Sequence, residues 1–430
     1  MVIQAGNTVL LLPLIISTFQ ADELGLWLLL GVLTRVRDIF DFGLLVTVSR
    51  HVAQCKSNRE RASLRRGVKV VFSKVNLVAC VLLPIFYFFA LYKLIKESDF
   101  SLDFLFSSLF FLLSSVVYLK GNYYRSYIIG VNRINVIKFN EAIINLLLLF
   151  LTAVFILLDG GILAVSMLQF LAFLALFYSN FRIFSRLTGT ADGNASNSGE
   201  QNGYHRYDEL IFCSKREFFS GVLGSGFLQT VNVMIANIYS VDLSNVYLIL
   251  DRLMEQIKNF SRVVFYTSLP SLSKSYARGQ REWVRGRVYQ RFNLSLFLMS
   301  MLCILVLGLG LWLENLNDVR FTPDIWLVLF GFAIIERLTS MYNQLYLISH
   351  VNVISHIGML VTIPLFFAFF SIFNGAFGVA SIPLSFMCSY LSFYYPFCSI
   401  KARKKLGLSF FHLDFLPMLV LVIIVFNFLG

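Results

Sequence analysis

Charge is what this chain has least of. Only 14% of its 430 residues are Asp, Glu, Lys or Arg, against 57% hydrophobic and 16% aromatic. A water-soluble fold cannot cover its surface from so small a polar stock, so the solvent for this chain is lipid. The ten-residue polar–apolar alternation of transmembrane β-strands is missing as well, which excludes a β-barrel. Cys55, Cys80, Cys213, Cys303, Cys388 and Cys398 show no C-x-x-C spacing, and the five histidines are equally dispersed. That excludes a disulfide framework and a metal site, and no cofactor is expected. The first apolar run, over 2–19, lacks a basic leader and a small-residue cleavage site, so it reads as a retained span rather than a signal peptide.

What the chain has instead is apolar runs of about 20 residues, the length that crosses roughly 30 Å of hydrocarbon as a helix. They fall near 2–19, 24–48, 70–93, 103–120, 135–158, 160–181, 217–240, 243–268, 291–313, 325–349, 352–373, 377–399 and 410–429. The fold expected is an all-α polytopic membrane protein. Two six-helix bundles form a parallel pseudo-repeat around a central cavity, followed by a thirteenth, C-terminal span. Residues 1–186 make the first bundle, 187–210 a linker, 211–400 the second bundle, and 401–430 a basic loop with the extra span. The linker "LTGTADGNASNSGEQNGYHRYDEL" is rich in Gly, Asn and Ser, the composition of a flexible connection.

The net charge of +12 is distributed with a period that follows the spans. "SRHVAQCKSNRERASLRRGVK" carries seven basic residues, "KGNYYRSYIIGVNRINVIK" four, 182–216 five, 262–291 seven, and "KARKK" four. The alternate loops are short and acidic, with only Lys93, Lys96 and Arg320 as basic residues. Positive charge stays on the cytoplasmic side, which places the N-terminus there and makes the protein multi-pass. A nucleic-acid-binding patch would not follow the spans in this way, so no nucleic-acid partner is expected.

The halves also echo each other. "YYRSYIIGVNRINVI" resembles "YNQLYLISHVNVIS", and "KSNRERASLRRGVKV" resembles "RGQREWVRGRVYQ", both at an offset of about 220 residues. The same offset carries "LTRVRDIFDFGLL" onto the eighth span, where Asp251, Glu255, Lys258 and Arg262 share one helix face beside Arg252. The spacing of Arg37 with Asp41, and of Arg35 with Asp38, suits mutual neutralisation. Lys74, Glu141 and the pair Glu336–Arg337 add charge to the third, fifth and tenth spans. A charge at the bilayer centre costs roughly 2.5–3.5 kcal/mol on insertion scales. A purely structural bundle would use small residues and hydroxyls instead, so matched stripes in two halves point to a polar transport path.

"ELGLWLLLGVLTRVRDIFDFGLLVTVSRHVAQ" resembles the second-span region of O-antigen repeat-unit flippases of the Wzx type, within the multidrug/oligosaccharidyl-lipid/polysaccharide exporter superfamily. The shared pattern is Glu23, Gly25 and Trp27, then Asp41-Phe42-Gly43-Leu44, then Thr47 and Arg50. The "YYRSYIIGVNRINVI" junction is similar too. The likeness covers roughly 20–140, and the apparent thirteenth span departs from the family's usual twelve.

The resemblance implies a bacterial inner-membrane protein that is not an enzyme. It would move an oligosaccharide on undecaprenyl pyrophosphate from the cytoplasmic to the outer leaflet by alternating access, driven by an ion gradient. Its partners would be that lipid-linked glycan, the bilayer, and the polysaccharide polymerase with its chain-length machinery. A pyrophosphate needs cations along its path. Arg35, Arg37, Lys74, Arg252 and Lys258 are the intramembrane candidates, and Arg125 and Lys138 stand near the cytoplasmic mouth. Asp38, Glu141, Asp251, Glu255 and Glu336 are the candidates for ion coupling. Tyr123, Tyr124, Gln229 and Asn232 offer glycan contacts or, for the tyrosines, an interfacial belt. A multidrug cation antiporter of the same superfamily is the main rival. A lipid II flippase would need fourteen spans, and a polysaccharide polymerase would need a large external loop that is absent.

Overall fold

The computed structural model describes residues 11–55, 58–97, 102–189, 214–215, 218–219, 221–317, 322–349 and 355–407. Among them there is helix and no strand. The expected thirteenth span and most of the linker lie outside the described residues.

The helices run as α1 (11–18), α2 (Ala21–Ile39), α3 (Leu44–Gln54), α4 (Asn58–Glu97), α5 (Leu102–Gly130), α6 (Ile134–Leu157) and α7 (Gly161–Gly189). After a π turn over Val222–Gly226 come α8 (Phe227–Ile238), α9 (Val241–Tyr266), α10 (Leu269–Ala277), α11 (Arg281–Asn317), α12 (Pro323–Ser349) and α13 (Ser355–Phe377). A short 3₁₀ turn leads into α14 (Ser381–Ser389), and a second π turn, Tyr390–Tyr394, joins it to α15 (Tyr395–Leu406).

Seven described stretches are long and apolar enough to cross a membrane. They correspond to α4, α5, α6, α7, α11 and α12, with α13 to α15 counted as one stretch. Neither α2 nor α9 is in that set, because charges interrupt their apolar runs. Large apolar side chains stand exposed along the outer helices, among them Phe139, Ile143, Leu146, Leu147 and Phe150 of α6. Only Ile137, Thr152 and Ile156 of α6 are buried. Water would not tolerate that surface, and lipid does.

The described chain falls into two compact units, one within Val9–Val241 and one within Asp242–Gly430. In the first, α5 packs against α2, α3, α4, α6 and α7. Its core gathers Leu44, Val48 and Val52 of α3 with Val68, Phe72, Tyr127, Ile128, Ile137 and Phe184. α8, the expected seventh span, packs on α2 and α4 and so belongs to this unit.

In the second unit α12 is the central helix. It is 78% buried over its apolar window, against 11–33% for the other six stretches. Trp326 donates from Nε1 to the Cys303 carbonyl at 3.2 Å, and Phe292 sits edge-on between Phe265 and Tyr342.

One expected span is broken. Residues 24–48 read as a single apolar run, but α2 stops at Ile39 and α3 begins at Leu44. Between them Phe42 and Gly43 take left-handed conformations, with φ of 53° and 66°. Hydropathy is blind to such a turn. At the far end, the span expected over 377–399 continues as helix to Leu406.

Candidate functional site

The first unit brings charges from α2, α5 and α6 together around Tyr118. Arg37 leaves α2 5% exposed, and its guanidinium lies over the Tyr118 ring, 3.6 Å from the centroid. Phe173 of α7 flanks it at 5.0 Å and meets Tyr118 edge-on. Its carboxylate partner is Asp38, at 3.2 Å, and Arg37 Nη1 remains buried without a hydrogen-bond partner.

The expected Arg37–Asp41 pair does not form. α2 ends at Ile39, before Asp41, which instead accepts from Asn122 Nδ2 at 3.1 Å and from the Leu45 backbone N–H at 2.8 Å. The first contact ties the turn to α5 and the second caps the first turn of α3. Nor is Asp38 reserved for Arg35, since Arg37 holds it. Arg35 itself is half-buried.

Glu141 on α6 binds two cations. Arg125 Nη2 is 2.8 Å from one carboxylate oxygen and Lys138 Nζ is 2.7 Å from the other. Arg125 also donates from Nη1 to the Tyr118 hydroxyl at 3.2 Å. Tyr118 therefore joins the two charge clusters, a role that no charge pattern reveals. Beside it lies a small cleft of about 30 Å³, lined by Val117, Tyr118, Gly121, Asn122, Arg125, Glu141, Phe173, Leu176, Phe177 and Asn180.

Other expected residues lie elsewhere. Tyr123 and Tyr124 pack in an aromatic cluster with Phe72, Phe177, Phe181 and Phe184. Lys74 is exposed on the α4 face that also shows Val70, Leu77 and Val78. Gln229 and Asn232 are buried on α8.

In the second unit Lys258 of α9 pairs with Glu336 of α12 at 2.7 Å, the two side chains 14% and 16% exposed. Asp251 and Glu255 lie within electrostatic reach of the same ammonium, and Phe332 presents its ring 5.9 Å away. Arg252 is buried on α9. Arg337 is 2% exposed and donates from Nε to Ser295 Oγ at 3.2 Å. Ser295 in turn donates to the Ser261 carbonyl at 2.8 Å, so Arg337 braces α9, α11 and α12. Each unit thus ties its second expected span to its fourth through a buried cation: Arg37 on Tyr118, and Lys258 on Glu336. Among the described residues no cluster of His, Cys, Asp and Glu suits a metal ion.

No family model matches the chain. No curated protein matches it either. Solved structures do. An inward-facing multidrug-resistance MATE transporter of the MOP superfamily aligns at TM-score 0.65 and 11% identity, over 94% of each chain. The MATE multidrug transporter DinF-BH, in complex with R6G, aligns at 0.57 and 15% identity, over 95% of this chain and 94% of that one. The lipid II flippase MurJ, in an inward closed conformation, aligns at 0.55 and 15% identity, over 97% and 98%. Likeness at such identity establishes the fold alone: the chain is an all-α polytopic membrane protein built like MATE transporters and the MurJ flippase.

Proposed function

We propose that this protein is a flippase that carries an undecaprenyl-pyrophosphate-linked oligosaccharide, an O-antigen or related surface-polysaccharide unit, from the cytoplasmic to the outer leaflet. The observation that carries this reading is the buried cation held in each unit between two helices that a scaffold would join with apolar contacts. Such charges are costly in a bilayer and belong with polar cargo. The near-complete overlap with a structure described as a lipid II flippase supports a lipid-linked cargo.

In this reading Lys258 is stored against Glu336 while no substrate is present. A pyrophosphate oxygen competes for the ammonium, and Glu336 is freed to take up a proton or sodium ion. Releasing the cargo on the other side lets the pair re-form and the ion leave. Glu141 stands in the same relation to Arg125 and Lys138. Anion binding and ion binding are then linked through the same ion pair, and alternating access carries the linked state across. Arg35 and Arg252 are the further cations proposed along the path, and Asp38, Asp251 and Glu255 the further acids.

A multidrug cation antiporter is the second reading, favoured by the descriptions of two of the similar structures and by the three acids around Lys258. Deleting the gene separates the two. A flippase mutant accumulates a lipid-linked glycan on the cytoplasmic face of the inner membrane. Normal glycan export together with sensitivity to cationic dyes would instead identify the antiporter.

A further inference from the structure

We infer that the groove between α6 and α7, at the end that the charge pattern assigns to the cytoplasm, binds the headgroup of an anionic phospholipid of the surrounding bilayer. The site goes beyond the flippase reading and does not rest on it. Only Leu158, Asp159 and Gly160 separate α6 from α7, so the two helices run antiparallel. One bond sets their register: Asn140 Nδ2 of α6 donates to Ser179 Oγ of α7 at 2.8 Å. Two turns from that bond, toward the basic loops, Arg133 at the N-cap of α6 and Arg186 of α7 reach the same level. Arg182 lies one turn from Ser179 in the same direction. All three arginines are exposed.

No acid on these helices answers that charge. Glu141 is the one acid of α6, and Arg125 and Lys138 already hold it. α7 has none. Among the described residues Arg133, Arg182 and Arg186 form no ion pair. A guanidinium fork matches the oxygens of a phosphate, and basic pockets between transmembrane helices on the cytoplasmic side take anionic headgroups. Next to the arginines the same two helices turn apolar. Tyr178, one turn before Arg182, and Phe181 stand exposed on α7, with Phe139 and Ile143 exposed on α6. Those side chains suit acyl chains, whereas a soluble anion would use the arginines alone. Arg37 and Lys258, the cations assigned to the cargo, sit inside their units, but this groove opens outward beside lipid-facing side chains. Its occupant is therefore bilayer lipid and not cargo.

The test is native mass spectrometry of the purified full chain in a neutral detergent, titrated with phosphatidylglycerol or with zwitterionic phosphatidylethanolamine. Phosphatidylglycerol should bind more tightly. Arg133→Gln, Arg182→Gln and Arg186→Gln should each weaken it about five-fold, the effect of one basic residue near an anionic surface. Phosphatidylethanolamine binding should not change, and the matching Arg→Lys changes should keep most of the affinity. Lys404→Gln, at an exposed cation of α15, is the control that should alter nothing. Thermal unfolding of each variant confirms a folded protein. Equal binding of the two lipids, no effect of the Gln changes, or an equal loss in Lys404→Gln would overturn the site. So would displacement of phosphatidylglycerol by millimolar inorganic phosphate, the mark of a soluble anion. The triple Gln variant should still flip lipid-linked glycan in phosphatidylcholine vesicles; loss of flipping there would assign the arginines to the cargo instead. A wild-type chain that does not flip removes the flippase reading alone, and the lipid titration still decides this site.

Discussion

At Tyr118 two cations meet one side chain: Arg37 lies on its ring and Arg125 donates to its hydroxyl. Tyr118→Phe keeps the ring but leaves Arg125 Nη1 short of that acceptor, a loss of about 1–3 kcal/mol. Tyr118→Leu also removes the ring under Arg37 and should lower the unfolding temperature further. The Lys258–Glu336 pair makes a sharper case. Lys258→Gln strands a buried carboxylate, a change that costs about 3–5 kcal/mol in buried pairs. The double variant Lys258→Gln, Glu336→Gln should recover the unfolding temperature without recovering transport, and Lys258→Arg should keep part of both. Transport restored in the double variant would mean that the pair only holds helices together. Sequence spacing placed these charges on the right helices but chose wrong partners for Arg37. A pairing such as Asp41 with Asn122 bridges 81 positions and leaves no trace in local spacing.

Helices α4 to α7 follow from long apolar runs: α6 matches its expected extent at both ends, whereas α4 starts at Asn58 and not near 70, and α5 and α7 continue to Gly130 and Gly189, beyond the expected ends near 120 and 181. The break between α2 and α3 does not follow, because a bulky Phe42 at positive φ runs against its own preference and is held there by tertiary contacts. Phe218 stacks on it, ring centroids 4.2 Å apart. Gly43 is the one local hint. Gly43→Ala should cost about 1–2 kcal/mol, the penalty of the left-handed conformation for an L-residue.

Two other glycines separate close approach from open space. At Gly130 a Cβ would fall 2.5 Å from Val52 Cβ and 2.8 Å from the Ser49 carbonyl, so α3 and α5 touch there. Gly130→Ala should destabilise by about 1–3 kcal/mol. Gly121→Ala, which meets only an ordinary contact, should be neutral or gain about 0.5–1 kcal/mol. Thermal unfolding of the purified protein in detergent checks all three changes; equal effects at Gly130 and Gly121 would contradict the packing of α3 on α5.

For the molecule as a whole, composition was enough to read lipid as the solvent, and apolar runs of about 20 residues without strand alternation to read an all-α polytopic protein. Charge periodicity supplied the orientation, which stands as a proposal. Fusions of a periplasm-active reporter near residues 21, 99 and 318 should be active, and those near 58, 195 and 280 inactive. An active fusion at 195 would break the expected parallel arrangement of the halves, because an odd number of crossings would then precede it.

Substrate is where pattern reading ends: the same fold serves proteins described as drug transporters and one described as a lipid flippase. The most direct measurement is therefore flipping itself, in proteoliposomes that contain the purified chain and a fluorescent undecaprenyl-pyrophosphate glycan. Inner-leaflet label should become accessible to an external quencher faster than in protein-free vesicles. Rhodamine 6G should not compete, and Lys258→Gln should abolish the gain. Label that stays protected while rhodamine 6G is transported against a proton gradient would contradict the flippase and identify a cation antiporter.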